Sequence, residues 1–253
     1  SIIGDNYPVP DRMLVHNEQI VHEYLQWAMC GAPRPKGRFQ LYAVEGGTAA
    51  MCYIFKSMKT NRLLNAGDTI ALGTPIFTPY LEMPHLEDYD LKVVNVQARQ
   101  ENRFQFDDAE LAKLLDPKVK AFFLVNPGNP SAVALSAETI AKIGAILKKR
   151  PDLILLTDDV YGTFVPGFRS LLGAFPRNTI GVYSYSKYFG CTGWRLGVIA
   201  VHEDNLFDEL IAKHPEPVLK KLDKRYAALT LEPRKLRFID RIVADSRDVA
   251  LNH

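Results

Sequence analysis

The chain has 253 residues, of which 47% are hydrophobic and 24% are charged, a composition typical of a globular domain rather than a disordered or fibrous chain. The formal net charge of +2 provides no global field for binding nucleic acid or an acidic membrane surface. No apolar run approaches the roughly 20 residues needed to cross a bilayer, and residues 1–5 lack the basic and apolar regions of a signal peptide.

Cysteine and histidine usage argues against disulfides and metals. Cys30, Cys52 and Cys191 are widely spaced and form no CxxC pair, which favours a reducing, cytoplasmic environment. His16 and His22 are six positions apart, the wrong spacing for one helix face, so we expect no metal site. Because the first residue is not Met, we expect the mature N-terminus to lie upstream.

Seven short apolar segments have the Val, Ile, Leu and Phe content of strands that are covered on both faces. They are residues 41–44, 69–72, 92–96, 121–125, 153–157, 179–184 and 196–201. Helical patterns lie between them at 47–59, 107–116 and 136–150. This alternation predicts an α/β fold with three layers, in which a mostly parallel seven-stranded sheet has helices on both faces. Ligands of such sheets bind beyond the carboxyl ends of the strands.

The last part of the chain, from about residue 204 to 253, has a different character, with long helical segments rich in Lys and Arg. Acidic residues interrupt the basic stretch 220–247, which favours a solvated or subunit-facing surface over a nucleic-acid site. The helical periodicity of 236–251 stops without a cap or breaker. It predicts a chain that is cut short or whose next domain is missing, and the alternative is a frayed terminal helix.

Two motifs follow the first and second predicted strands. Gly46, Gly47 and Thr48 stand between a strand and a helix, where backbone N–H groups bind phosphate well. A tight turn is the alternative interpretation. Phe77 follows the second strand and has an aromatic ring suited to stacking on a planar cofactor. Core packing is the alternative for this ring.

Polar residues follow the fourth and fifth predicted strands. Asn129, fixed by Pro130, offers an amide donor to a ring oxygen, although an ordinary Asn-Pro-Gly turn has the same composition. Asp158 ends the next strand and is suited to pair with a protonated pyridine nitrogen, which turns the ring into an electron sink. Tyr161, three residues on, is positioned to reach a phenolic ring oxygen. Helix capping by the Asp and core filling by the Tyr are the alternatives.

Segment 184–197 contains the most specific pattern in the chain. Lys187 comes directly after an apolar strand between Ser184 and Ser186, and Arg195 follows eight positions later between glycines. A lysine amine, hydroxyls and a guanidinium together suit a phosphorylated aldehyde, since the amine forms an imine while the hydroxyls and the guanidinium hold the phosphate. The alternative is a surface lysine in a glycine-rich turn.

Taken in order, these motifs resemble the large domain of fold-type I pyridoxal 5′-phosphate (PLP) enzymes, the aspartate aminotransferase group. The resemblance covers roughly residues 5–252 and implies a PLP-binding large domain over 1–253, with a helical extension from about 204 that leads to an absent small domain. The phrases at 157–164 and 183–190 are most similar to the L-aspartate β-decarboxylases. Residues 129–132 depart from the common Asn-Pro-Thr-Gly.

The resemblance implies roles for single residues. Lys187 is implied as the Schiff-base lysine and proton shuttle, and Asp158 as the partner of the pyridine nitrogen. The remaining cofactor contacts that it implies are Tyr161 and Asn129 for the ring hydroxyl, Phe77 for stacking, Gly47, Thr48, Ser184, Ser186 and Arg195 for the phosphate, and Tyr7 for the phosphate of a neighbouring subunit's site. Lys187, Asp158 and Tyr161 form the expected catalytic set.

The implied activity is β-decarboxylation of L-aspartate to L-alanine and CO2, with aminotransferase activity as a side reaction. No residue decides between decarboxylation and transamination, so an amino-acid aminotransferase stays open. A non-catalytic PLP-binding module is a further alternative, because the arginine that grips the substrate carboxylate belongs to the absent small domain. The resemblance also implies a homo-oligomer, at least a dimer, with no nucleic-acid or membrane partner.

Overall fold

The computed structural model describes residues 12–86 and 89–250, with side chains described up to residue 247. Its seven strands match the seven predicted segments to within three residues at each end. They are β1 (Phe39–Val44), β2 (Thr69–Thr74), β3 (Lys92–Gln97), β4 (Val119–Val125), β5 (Ile154–Asp158), β6 (Thr179–Ser184) and β7 (Gly197–His202). The described residues also form nine α-helices. These are α1 (Val15–Met29), α2 (Gly47–Thr60), α3 (Pro79–Glu82), α4 (Asp108–Ala112), α5 (Ala137–Lys149), α6 (Leu171–Ala174), α7 (Leu206–Ala212), α8 (Glu216–Tyr226) and α9 (Phe238–Ala250).

All seven strands form one sheet in the order β1-β7-β6-β5-β4-β2-β3. Strand β7 runs antiparallel to both of its neighbours, β1 and β6, and every other pair is parallel. The predicted mostly parallel sheet is therefore confirmed. Strands β1, β2, β4, β5 and β6 point the same way, so their carboxyl ends meet at one edge of the sheet, where ligands of open α/β sheets bind.

Both faces of the sheet are buried, which explains why the strands lack a clean polar–apolar alternation. On β5, Ile154 and Leu156 belong to one apolar cluster with Phe55 of α2. Leu155, between them, belongs to a second cluster with Ile143 of α5. A third cluster joins α1 and α6 to β1 and β6. Helices α2, α7, α8 and α9 thus cover one face and α1, α4, α5 and α6 cover the other, which makes the three predicted layers.

Local capping explains where two predicted helices begin. The Ser136 hydroxyl accepts a hydrogen bond from the Thr139 N–H at 3.1 Å and starts α5. The Asp107 carboxylate accepts from the Glu110 N–H at 2.8 Å and starts α4. Helix α4 ends earlier than predicted, and a short 3₁₀ turn, Lys113–Leu115, continues it towards Pro117. Helix α1 was not predicted from the sequence.

The predicted C-terminal helical region consists of α7, α8 and α9, and α9 packs against α2. A buried polar cluster joins these elements. The Asp245 carboxylate accepts hydrogen bonds from the Ser57 hydroxyl of α2 at 2.7 Å and from the Tyr226 hydroxyl of α8 at 3.0 Å. Arg225 forms an ion pair with the same carboxylate at 2.9 Å. Within 12–86 and 89–250, no helix is both long and apolar enough to span a bilayer.

Candidate functional site

A cavity of about 180 Å³ lies at the carboxyl ends of the central strands. It is formed by residues from β4, β5 and β6, the start of α2, the segment after β2 and the loop between β6 and β7. Its lining consists of Gly47, Thr48, Phe77, Tyr80, Val125, Asn129, Asp158, Val160, Tyr161, Ser184, Ser186, Lys187, Thr192 and Arg195. Five separate segments of the sequence therefore converge on one space.

Lys187 reaches this cavity from the loop that follows β6. Its side-chain amine makes no hydrogen bond or ion pair with any residue that the structure describes. The two serines that frame it turn towards each other, since the Ser184 hydroxyl donates to the Ser186 hydroxyl at 3.0 Å. Both serines are buried. The arrangement leaves an unpaired amine next to two hydroxyl groups on the wall of the cavity.

Arg195 supplies a permanent positive charge beside those hydroxyls. One guanidinium nitrogen, Nη1, donates to the Thr192 carbonyl at 2.8 Å and lies 3.4 Å from the Ser186 hydroxyl, and Nη2 donates to the Glu45 carbonyl at 3.2 Å. The guanidinium lies so close to the turn before α2 that a Cβ on Gly46 would come within 2.3 Å of Nη2. A cation, two hydroxyls and the N-terminus of α2 therefore meet at one end of the cavity, as in sites that bind phosphate.

Asp158 lies at a second part of the wall and is almost fully buried. One carboxylate oxygen, Oδ2, accepts from the Tyr80 hydroxyl at 2.7 Å, and Oδ1 accepts from the Val160 N–H at 3.1 Å. Burial raises the pKa of Asp158, while these two hydrogen bonds lower it. A buried carboxylate of this kind is suited to pair with a cationic ring nitrogen on a bound molecule, which would return the pKa of Asp158 to a lower value.

The remaining predicted residues border the same space. Phe77 is 38% exposed, and its ring packs edge-on against Tyr80 with 5.3 Å between ring centroids. Tyr161 and Asn129 line the cavity and also border an adjoining cavity that contains Phe164 and Lys187. A planar ligand in the main cavity therefore has one aromatic ring, one phenol and one amide within the lining.

The structure brings together ten of the eleven predicted site residues. The eleventh, Tyr7, lies outside the described residues. Within the described part of the chain, no group of three or more His, Cys, Asp or Glu side chains is placed to hold a metal ion.

Sequence reasoning missed Tyr80 and Thr192, which also line the cavity. Tyr80 is the more informative omission, because its hydroxyl donates to Asp158 across 78 positions of sequence. The sequence feature that could have identified Tyr80 is its position three residues after Phe77, because this spacing places both rings on one side of a helical turn.

Comparison with known proteins gives a family match. The family model "Aminotransferase class I and II" matches residues 43–231. A Pseudomonas sp. protein, the bifunctional aspartate aminotransferase and L-aspartate beta-decarboxylase, is 56% identical over 254 residues, which is 100% of this chain and 48% of that protein. The aspartate/prephenate aminotransferase of Nitrosomonas europaea is 29% identical over 140 residues, 53% of this chain and 35% of that protein.

Solved structures share the fold. A mutant aspartate aminotransferase of Thermus thermophilus has a TM-score of 0.62 at 18% identity, covering 93% of this chain and 58% of that one. The aromatic aminotransferase of Pyrococcus horikoshii has a TM-score of 0.60 at 22% identity, covering 93% of this chain and 59% of that one. This chain spans about half the length, or less, of the curated relatives that it matches.

Proposed function

We propose that this chain, which belongs to the aminotransferase class I and II family of PLP-dependent enzymes, binds PLP through Lys187 and acts on L-aspartate. One observation carries the proposal: Lys187, Asp158 and Arg195 line the same cavity. An unpaired amine, a buried carboxylate and a guanidinium are the groups that PLP requires at its aldehyde, its ring nitrogen and its phosphate.

The donor set fits the cofactor at each of its functional groups. Gly47, Thr48, Ser184, Ser186 and Arg195 would hold the phosphate. Asn129 and Tyr161 would face the ring hydroxyl, and Phe77 would cover the ring. When bound, the cofactor supplies an electron sink for the pair of electrons released at the substrate Cα.

The chain's own residues would then hold and transfer the protons that the reaction requires. Asp158 holds a proton at the ring nitrogen, with its orientation fixed by Tyr80 and Val160. Lys187 would hold the cofactor at its aldehyde, and its amine would move a proton at the substrate Cα.

We further propose that the reaction continues to β-decarboxylation, which yields L-alanine and CO2, with transamination as a side reaction. Support comes from the 56% identical Pseudomonas protein, whose name includes both activities. The other relatives, such as the N. europaea protein, carry aminotransferase names, so plain transamination of aspartate is the second candidate.

Incubation with L-aspartate separates these candidates. With PLP but no keto acid, the decarboxylase proposal predicts CO2 and alanine in equal amounts. Lys187→Ala should abolish both, while Lys149→Ala, an exposed lysine on α5, should not change them. Glutamate formed only when 2-oxoglutarate is added would favour the aminotransferase. Bound PLP with neither product would favour the binding module, and no PLP binding at all would contradict the proposal.

We also propose that residues 1–253 form the cofactor-binding large domain, with a helical extension from about 204, and that the protein acts in the cytoplasm as a homo-oligomer, at least a dimer. Large aromatic side chains lie exposed beside the Lys187 segment, including Trp194 at 80% and Phe189 at 52% exposure. Such rings are enriched at subunit contacts. Sedimentation should give at least twice the mass of 28.5 kDa.

A further inference from the structure

The central strand β5 ends at Asp158, a second carboxylic acid, Asp159, follows directly, and the chemistry described above uses only the first. Successive side chains of a strand point to opposite faces of the sheet. Asp158 points into the cavity, and Asp159 lies on the opposite face together with Thr157. Asp159 is 2% exposed, so the protein keeps a second acid buried directly behind the first.

The contacts of Asp159 are hydroxyl groups. One carboxylate oxygen accepts from the Thr157 hydroxyl at 2.7 Å, and the other accepts from the Ser170 hydroxyl. Ser170 also caps α6 by accepting from the Leu172 N–H at 2.9 Å. Among the residues that the structure describes, no cation forms an ion pair with Asp159. Burial without a counter-charge favours the neutral form of this carboxylic acid. The two hydroxyl donors oppose this effect only in part, because burial has the larger influence on the pKa of Asp159.

Other ionisable groups near Asp159 do not supply a counter-charge. Cys30, at the end of α1, is fully buried, and burial and then the negative charge of Asp159 raise the pKa of its thiol. Arg34 and Arg169 act on Cys30 in the opposite sense, but neither is within ion-pair distance of Asp159. Burial raises the pKa of Asp159 to about 7, and the adjacent Asp158 adds to this shift.

We propose that Asp159 is a positioning residue that keeps its proton while Asp158 carries the negative charge beneath the cofactor ring, and that loss of this proton changes the electric field in the cavity. The retained proton on Asp159 does not depend on the proposed PLP function, whereas the charge of Asp158 beneath the ring and the effect on the cavity rest on it. Each acid accepts from two neutral donors, and the asymmetry follows from the cavity. Asp158 lines it and can face a cationic ring nitrogen there, while Asp159 does not line it.

The direction of the coupling follows from the signs of the charges. Above neutral pH, Asp159 loses its proton to solvent and adds one negative charge behind Asp158. A negative charge raises the proton affinity of nearby groups, so the linkage between Lys187 and the cofactor keeps its proton to a higher pH. In Asp159→Asn this added charge is absent, and the linkage should lose its proton at a lower pH.

The first experiment needs no cofactor and measures urea unfolding of the chain between pH 5 and pH 8. The pKa of Asp159 is about 7 in the folded state against an ordinary value of 3.8. Folding therefore takes up a proton in this range, and the contribution of Asp159 to stability is lost as the pH rises towards 7. The urea midpoint of wild type should fall relative to that of Asp159→Asn over this range.

Matched variants make the result specific. Thr157→Val removes a donor that stabilises the ionised acid with little change of shape, so it should move the pH dependence to higher pH. Asp204→Asn, an exposed acid, should leave the wild-type pH dependence unchanged. If the midpoint difference between wild type and Asp159→Asn does not vary with pH, and Thr157→Val behaves as wild type, the inference is wrong whether or not the chain binds PLP.

The second experiment titrates the visible absorption band of the PLP-loaded chain. The apparent pKa of this band should be about one unit lower in Asp159→Asn than in wild type, the shift expected for one charge roughly 12 Å away at an effective dielectric constant near 20. Bound PLP with identical titrations in both proteins would overturn the coupling but leave the proposed function intact. A chain that takes no PLP would overturn the proposed function, and the urea measurements would still decide the state of Asp159.

Discussion

At the scale of single residues, the cavity depends on how Asp158 is held. A carboxylate that faces a ligand must be fixed in orientation, and its buried oxygens need donors. The Tyr80 hydroxyl and the Val160 N–H meet both needs from two different elements. Tyr80 is itself fully buried against Phe123, with 4.8 Å between ring centroids, so the hydroxyl has little freedom to move.

Tyr80→Phe should destabilise the folded chain in a pH-dependent way. The lost donor is worth about 2 kcal/mol to a charged acceptor and much less to a neutral one. Because burial raises the pKa of Asp158, the acid is neutral at low pH and charged only above its raised pKa. The loss in the free energy of unfolding should therefore be small near pH 4 and grow as the pH rises, as measured by urea unfolding. In an Asp158→Asn background the substitution should show no such growth, and the same pH dependence there would contradict this account.

The sequence could identify Asp158 but not Tyr80. Asp158 directly follows the predicted strand 153–157, and the apolar composition of that segment and the neighbouring Tyr161 mark its position. Tyr80 approaches Asp158 through the packing of β2 beside β4 and β4 beside β5, and strand order cannot be read from local periodicity. The same applies to Asp159, whose partner Ser170 caps α6 on the face of the sheet opposite the cavity.

At the scale of elements, the phosphate end of the site depends on a close approach of two turns. Gly46, before α2, has a backbone φ of +90°. Residues other than glycine rarely adopt this conformation. Gly197 starts β7, and a Cβ there would lie 2.9 Å from the Gly46 Cα. The turn before α2 and the segment after Arg195 therefore touch through their backbones, which sets the position of the guanidinium.

Gly46→Ala should weaken PLP binding. The new Cβ would meet Arg195 Nη2 at 2.3 Å and strain a left-handed backbone, at a cost of about 1–3 kcal/mol. We expect PLP affinity to fall about tenfold or more, as measured by titration of the visible band. The control is Gly67→Ala, at φ of +83° with no atom within 4 Å. It should cost stability without changing PLP affinity, and equal loss of affinity in both variants would refute the steric explanation.

Sequence patterns predicted the positions of the strands and helices better than they predicted how these elements are arranged in space. All seven strands contain a short apolar segment that predicts a strand, and α5 was predicted because Ser136 and its terminal lysines mark both ends. Helix α1 was not predicted, and its exposed Val15, Ile20 and Trp27 blur the apolar periodicity that identifies a helix. The antiparallel direction of β7 depends on a short connection through Arg195, which gives no periodic signal.

At the scale of the whole molecule, the C-terminal helices are joined to the domain that carries the cavity. The fully buried Asp245 of α9 accepts hydrogen bonds from α2 and α8 and pairs with Arg225. Helix α2 begins at the phosphate end of the cavity and ends at this cluster. The packing therefore makes α8 and α9 part of the same folding unit as the site.

Asp245→Ala should destabilise the whole chain. Removing the acid leaves buried donors without partners and removes its ion pair with Arg225, at a cost of about 3 kcal/mol. Asp223→Ala on α8, which removes one of the two acidic partners of exposed Arg234, should cost less than about 1 kcal/mol. Urea unfolding of both variants, followed by circular dichroism, tests this difference. A separate early transition of the C-terminal helices, or equal losses in the two variants, would show that the cluster does not join them to the domain.

The covalent bond between Lys187 and PLP is the central claim, and borohydride reduction of the PLP-loaded chain tests it most directly. Reduction converts the imine into a stable secondary amine, and proteolysis with mass spectrometry then locates the pyridoxyl group. We predict a single labelled peptide containing Lys187 and no label in Lys187→Ala. A label on another lysine, or PLP released unreduced from wild type, would contradict the account.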